Sequence, residues 1–162
     1  MKKVLFAALA AMFILPAFAN KKMDKETMTW RYEVQDLGKV AKDGKSDIFK
    51  IWTYAKKDNQ ALNQAGKNAV HAVIFKQIGY KPALAGTSNL EIDHADELKE
   101  FFKDGGEYRR FVQFINNGAV APADKIQLKK EWKIGVTVSV NRADLRKYLE
   151  QKGWLQSLNS LF

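Results

Sequence analysis

From Met28 the chain alternates. Met28, Trp30, Tyr32 and Val34 fall on one side, and Thr29, Arg31, Glu33 and Gln35 on the other. A period of two with aromatic and β-branched residues predicts a half-buried strand. Residues 38 to 46 read as a loop, and a second strand is predicted from Asp47 to Ala55, forming a hairpin with the first. The period then changes: Leu62, Ala65, Ala69 and Val73 recur at helical spacing between residues 58 and 78, with Asp58 able to cap the start and Gly79 to end the helix. The alanines would let this helix lie close against a sheet. A loop over residues 80 to 93 surrounds Pro82 and Gly86. Asp93 to Lys103 then predicts a shorter helix with acids at its start and Leu98, Phe101 and Phe102 turned inward, stopped by Asp104-Gly105-Gly106.

Tyr108 to Ile115 carries two signals. Phe111, Phe114 and Ile115 fit a helix, but the density of Tyr, Phe, Val and Ile favours a strand. Asn116 to Ala123 reads as a loop. The clearest strand follows, with Trp132, Ile134, Val136, Val138 and Val140 pointing one way and Lys133, Gly135, Thr137 and Ser139 the other. Asn141 is suited to cap a last helix carrying Leu145, Tyr148 and Leu149 and closed by Gly153, after which Trp154, Leu155, Leu158, Leu161 and Phe162 form an apolar tail. The element order is ββααββα. Strands that alternate this cleanly have one buried and one wetter face. The expectation is therefore a single α+β domain, with an antiparallel or mixed sheet of about four strands and helices packed on one face.

The N-terminus follows a different pattern. Lys2 and Lys3 precede an apolar stretch from Val4 to Phe18, broken by Pro16, and Ala17-Phe18-Ala19 sets small residues where a signal peptidase reads. Residues 1 to 19 are expected to be a signal peptide cleaved after Ala19, leaving the domain over residues 20 to 162. A membrane-spanning helix needs roughly 20 apolar residues, more than this stretch supplies. No later segment is apolar enough to span a membrane, so none is expected after cleavage. The destination would be the periplasm or the extracellular medium.

The chain has no cysteine, which excludes thiol catalysis, thiolate metal sites, disulfides and a lipid-modified cysteine. Its formal charge is +9, and loss of Lys2 and Lys3 would take this to +7. A basic balance favours anionic partners. The lysines are spread out, however, and no run reaches five like charges, so a solvated basic surface is the plainer reading. If an anionic partner is bound, the candidate surface is Lys125, Lys129 and Lys133, read as sharing one side of the last strand region opposite Ile126, Leu128 and Trp132.

Candidate chemistry is sparse. Gly38 to Ser46 ends in Gly44-Lys45-Ser46, but five residues separate its glycines and a strand follows, where a phosphate-binding loop has four and a helix. A hairpin turn is expected instead. Asp93-His94-Ala95-Asp96-Glu97 lacks the alternate acids and central glycine of a calcium loop, and acids at a helix start face the positive end of its dipole. No metal or other cofactor is expected. His71 has no acid at helical spacing and reads as a structural histidine. The aromatics in Arg109-Arg110-Phe111 and around Trp132 fall on inward-facing positions, which disfavours nucleic acid. No catalytic constellation emerges.

Phe49-Lys50-Ile51-Trp52-Thr53-Tyr54, the helix segment Asn68-Ala69-Val70-His71-Ala72-Val73-Ile74-Phe75-Lys76, and Lys133 to Asn141 followed by Leu145-Arg146-Lys147-Tyr148-Leu149-Glu150 together resemble a group of small secreted proteins of Bacteroidetes-type bacteria that have no assigned function. The strand leading into an alanine-rich helix is also loosely similar to envelope and flagellar-accessory domains of the LPP20 type. Neither resemblance implies catalytic residues. The expectation is an exported, envelope-associated, non-catalytic binding or accessory protein, its partner an envelope protein or anionic polymer. The alternative is a hydrolase of envelope polymers using loop carboxylates such as Glu91 and Asp93.

Overall fold

A computed structural model describes residues 30–86 and 88–157. The predicted signal peptide, the first two residues of the predicted first strand and the end of the apolar tail lie outside the described residues. Within them the fold is α+β, built on an open antiparallel sheet of five strands. These are β1 (Tyr32–Val40), β2 (Ser46–Ala55), β3 (Val112–Phe114), β4 (Lys125–Gln127) and β5 (Trp132–Asn141). The order is β1-β2-β5-β3, with β4 also paired to β5. The helices are α1 (Asp58–Phe75), the single turn α2 (Leu90–Asp93), α3 (Ala95–Phe102) and α4 (Arg142–Gln151).

β1 extends into the first three residues of the stretch expected to be a loop, 38–40, its pairing with β2 interrupted by an irregularity between Asp36 and Lys39. The hairpin turn is confined to residues 41–45. There the Asp43 carboxylate accepts from the backbone N–H groups of Lys45 (2.9 Å) and Ser46 (3.0 Å) and from the Ser46 hydroxyl (2.7 Å). The side chain of the turn itself thus occupies the amides that a phosphate would need.

Helix α1 ends at Phe75, three residues before the expected stop. Lys76 turns to an extended conformation, and Gly79, with φ +57°, serves a tight turn closed by the Ile78–Lys81 bridge. The segment expected to be a strand over Tyr108–Ile115 is mostly a 3₁₀ turn, Glu107–Phe111, followed by the three residues of β3. Side chains three apart eclipse on a 3₁₀ helix. That geometry buries Tyr108 and Phe111 together and leaves Arg109 and Arg110 outside. Strand β4 was absent from the expected order because all three of its residues are exposed and carry no alternation.

Pairing partners in an antiparallel ladder project to the same side. The register therefore divides the sheet cleanly. One face carries Tyr32, Phe49, Ile51, Thr53, Ile134, Val136, Val138 and Val140, all buried. Helix α1 lies on this face through Ala65, Ala69 and Val73, and Asn68 Nδ2 donates to Thr53 Oγ1 at 3.1 Å. Helices α3 and α4 complete the core on the same side, Phe101 packing against Tyr148 and Trp154. The cap at Asn141 is as expected: its side chain accepts from the Asp144 N–H at 3.0 Å. No described helix is long and apolar enough to cross a membrane.

Candidate functional site

None of the described α-helices lies on the other face of the sheet, which only the 3₁₀ turn Pro122–Asp124 reaches, through Asp124 and Lys50. Along β2 its positions are Ile48, Lys50, Trp52 and Tyr54, and along β5 they are Lys133, Gly135, Thr137 and Ser139. Trp52 pairs with Gly135. Because residue 135 has no side chain, the six-membered ring of the indole lies over its backbone, where a Cβ would stand 3.0 Å from Cη2 and Cζ3. The ring is half-buried and spread across two strands rather than standing on edge. Its Nε1 donates to Gln35 Oε1 on β1 at 3.1 Å, which fixes its orientation in the plane of the sheet.

Tyr54 follows two residues on, about 7 Å along the strand. Its hydroxyl donates to Glu33 Oε1 at 2.5 Å, and the Arg31 guanidinium stacks on its ring 4.0 Å from the centroid. Ammonium groups flank both rings: Lys133 Nζ is 5.3 Å from the Trp52 centroid and 5.7 Å from that of Tyr54, and Lys50 Nζ is 5.5 Å from Trp52. Such cation–aromatic pairs hold both partners in place and leave the ring faces ordered.

The three cations beside the two rings are each matched by a carboxylate. Lys133 donates to both oxygens of Glu33 at 2.8 Å, Lys50 to both oxygens of Asp124 at 2.7 Å, and Arg31 to Glu131 at 2.8 Å and 3.0 Å. Hydrogen bonds from Lys133 and then Tyr54 hold the Glu33 carboxyl below its ordinary pKa, and the same contact raises that of Lys133. The face is aromatic at its centre, polar around it, and close to neutral.

The three lysines singled out from the sequence do not converge here. Lys133 belongs to the outer face, but Lys125 pairs with Ile134 and its ammonium lies 5.1 Å from the Trp132 ring, on the opposite side of the strand. Lys129 is exposed in the turn between β4 and β5. Ile126 and Leu128, expected to lie across from the lysines, are exposed, and Ile126 is the pairing partner of Lys133. The missed residues are Trp52 and Tyr54. Their signal was available: large aromatics at the polar parity of a strand whose other parity, Phe49 and Ile51, already supplies the core.

A second cluster lies on the helical side. His71 of α1 is buried, its Nδ1 2.7 Å from the Tyr32 hydroxyl and its Nε2 3.2 Å from Glu91 Oε1. Its acid comes from α2, 20 residues along, which spacing within one helix could not reveal. A carboxylate only accepts, so Nε2 carries the proton and Nδ1 accepts from Tyr32. Burial, and secondarily the charge of Lys76, pushes the imidazole pKa down from 6.5 to about 3, so the ring is neutral. Burial also raises the Tyr32 pKa, which leaves the phenol unactivated as a nucleophile. Glu91 lines a cavity beside His71, whereas Asp93 is exposed and does not line it, so these two carboxylates do not form a facing pair there. His94 Nδ1 lies 3.1 Å from Glu97, and no group of three or more His, Asp or Glu among the described residues could hold a metal ion.

Comparison with protein families, with curated proteins and with solved structures found no match to this chain.

Proposed function

We propose that this chain is an exported, non-catalytic binding protein and that the outer face of its sheet takes up a neutral glycan chain of the cell envelope. The observation that carries the reading is the Trp52 indole laid flat over Gly135 on a sheet face that no described α-helix covers. A sugar ring presents C–H groups on its faces and hydroxyls around its edge. The first stack on an aromatic plane, and the second need donors and acceptors beside it. Gln35, Thr137 and the ion pairs around Trp52 and Tyr54 supply those groups. Aromatic side chains give large contact area at small entropic cost because few torsions must be fixed.

Charge pairing supports a neutral chain over a polyanion. Glu33, Asp124 and Glu131 already engage the three cations, and an anionic polymer would have to displace them. Export is supported by Lys2-Lys3, the apolar stretch over residues 4–18 and Ala17-Phe18-Ala19. Mass spectrometry of protein recovered from the envelope or medium should find Asn20 at the N-terminus. Intact Met1 on the exported product would contradict the cleavage.

The binding test is retention of the mature protein on immobilised neutral and anionic polysaccharides across a salt series. Retention on a neutral support should change little up to roughly 150 mM salt, because no counterions are released. Retention confined to anionic supports, falling steeply with salt, would overturn the neutral-glycan reading and return attention to Lys125, Lys129 and Lys133.

A further inference from the structure

The cavity beside His71 lies on the opposite side of the sheet from Trp52. It has a volume of about 210 Å³ and is lined by Trp30, Phe75, Phe102, Leu98, His71 and Glu91. Three aromatic rings and a leucine make it apolar, and one carboxylate gives it a sign. His71 offers no free nitrogen, since Tyr32 and Glu91 engage both. Its ring stacks on Trp30 at 3.8 Å and packs against Phe75 at 4.6 Å. The imidazole therefore acts as a wall that anchors Glu91 without cancelling its charge. Glu91 itself is 56% exposed, so its second oxygen remains open to a ligand.

Trp30 shows that this arrangement is held at a cost. Its φ is +45°, in the left-handed region that a bulky residue rarely enters. Such a conformation costs about 1–3 kcal/mol and persists where surrounding contacts impose it. Here those contacts are the stack on His71 and an edge-on packing with Phe102 at 4.8 Å. The same aromatic cluster already seats an ammonium on its outer side, where Lys76 Nζ lies 4.1 Å from the centroid of Tyr32.

We infer that this cavity is a binding site for a small alkylated ammonium, a cation of the choline type. Aromatic faces attract a cation through their quadrupole, and methylated ammonium groups shed water easily enough to enter an apolar cage. Glu91 supplies the opposite charge at the wall. A cavity of about 210 Å³ lies below the roughly 300–1,000 Å³ of pockets for drug-sized ligands, which limits the occupant to a head group of this kind. The site is separate from the outer face, and each stands or falls without the other.

The test is titration of the mature protein with choline, followed by calorimetry and by the NMR signal of the Trp30 indole. Its uncharged counterpart, 3,3-dimethylbutan-1-ol, has the same shape. Choline should bind saturably and at least about ten-fold more tightly than the alcohol. Glu91→Gln should lower choline affinity about ten-fold, toward that of the alcohol. Ala95→Leu, which fills the cavity from an exposed position on α3, should abolish binding of both and keeps the test open if Glu91→Gln disturbs the fold. Equal affinity for choline and the alcohol, no saturable choline binding, or wild-type choline affinity in either variant would overturn the inference.

Discussion

The indole of Trp52 rests on the backbone of Gly135, its partner across β2 and β5, so closely that a methyl group at residue 135 would stand 3.0 Å from two ring carbons. The side chain missing from one strand is what lets the aromatic ring of the other lie flat. Gly135 is a costly residue for the middle of a strand, where alanine is ordinarily better by roughly 0.5–1 kcal/mol.

That contact predicts a change of sign. Gly135→Ala should destabilise the wild-type protein by about 1–2 kcal/mol, because the ring must shift off its seat. In a Trp52→Ala background the same substitution should stabilise by about 0.5 kcal/mol, since only the backbone preference remains. Urea melts of the four proteins give the cycle. An equal effect of Gly135→Ala in both backgrounds would show that the indole does not press on residue 135.

His71 predicts the acid limb of stability. The folded imidazole stays neutral down to about pH 3, while in the unfolded chain it protonates near 6.5. Between these values unfolding takes up a proton, so stability falls as pH falls, with a slope approaching about 1.4 kcal/mol per pH unit. The window from about pH 5 to 6.5 isolates histidine, of which the chain has two, since unfolded carboxylates titrate below it. His71→Gln should flatten the slope in that window. An unchanged slope in this variant would mean that another group carries it.

Asp47 predicts where the helical layer is tied to the sheet. It is buried on β2 at 4% exposure and receives Lys81 from the turn after α1 and Arg142, at 3.1 Å, from the start of α4. Asp47→Asn keeps the shape and leaves two cations facing a neutral amide, and should cost about 3 kcal/mol in a denaturant melt. A cost below about 1 kcal/mol, the range of an exposed pair, would contradict this joint.

The fold was legible where periodicity and burial agree. β2, β5, α1 and α4 alternate or recur over nine or more residues, and their inward sets, such as Ile134-Val136-Val138-Val140, are the core. β4 was illegible because an exposed three-residue edge strand has no buried face to impose a pattern. Tyr108 and Phe111 misled because a spacing of three in a short aromatic run fits a 3₁₀ turn as well as the composition fits a strand. Both candidate sites were hidden for one physical reason, that long-range pairing creates them. Register sets Gly135 under Trp52, and the chain's return through α2 brings Glu91 to His71.

The central claim is that the outer face around Trp52 and Tyr54 binds a neutral glycan, and amide and indole NMR spectra recorded during titration with soluble neutral oligosaccharides test it most directly. The chain has four tryptophans, and Trp52→Phe assigns the indole of interest by the loss of its signal. The account predicts saturable shifts of the Trp52 indole and of the amides of Lys50, Tyr54, Lys133 and Thr137, with the Trp30 and Trp154 indoles unmoved. A spectrum unchanged by every neutral oligosaccharide, or shifts confined to residues away from this face, would contradict it.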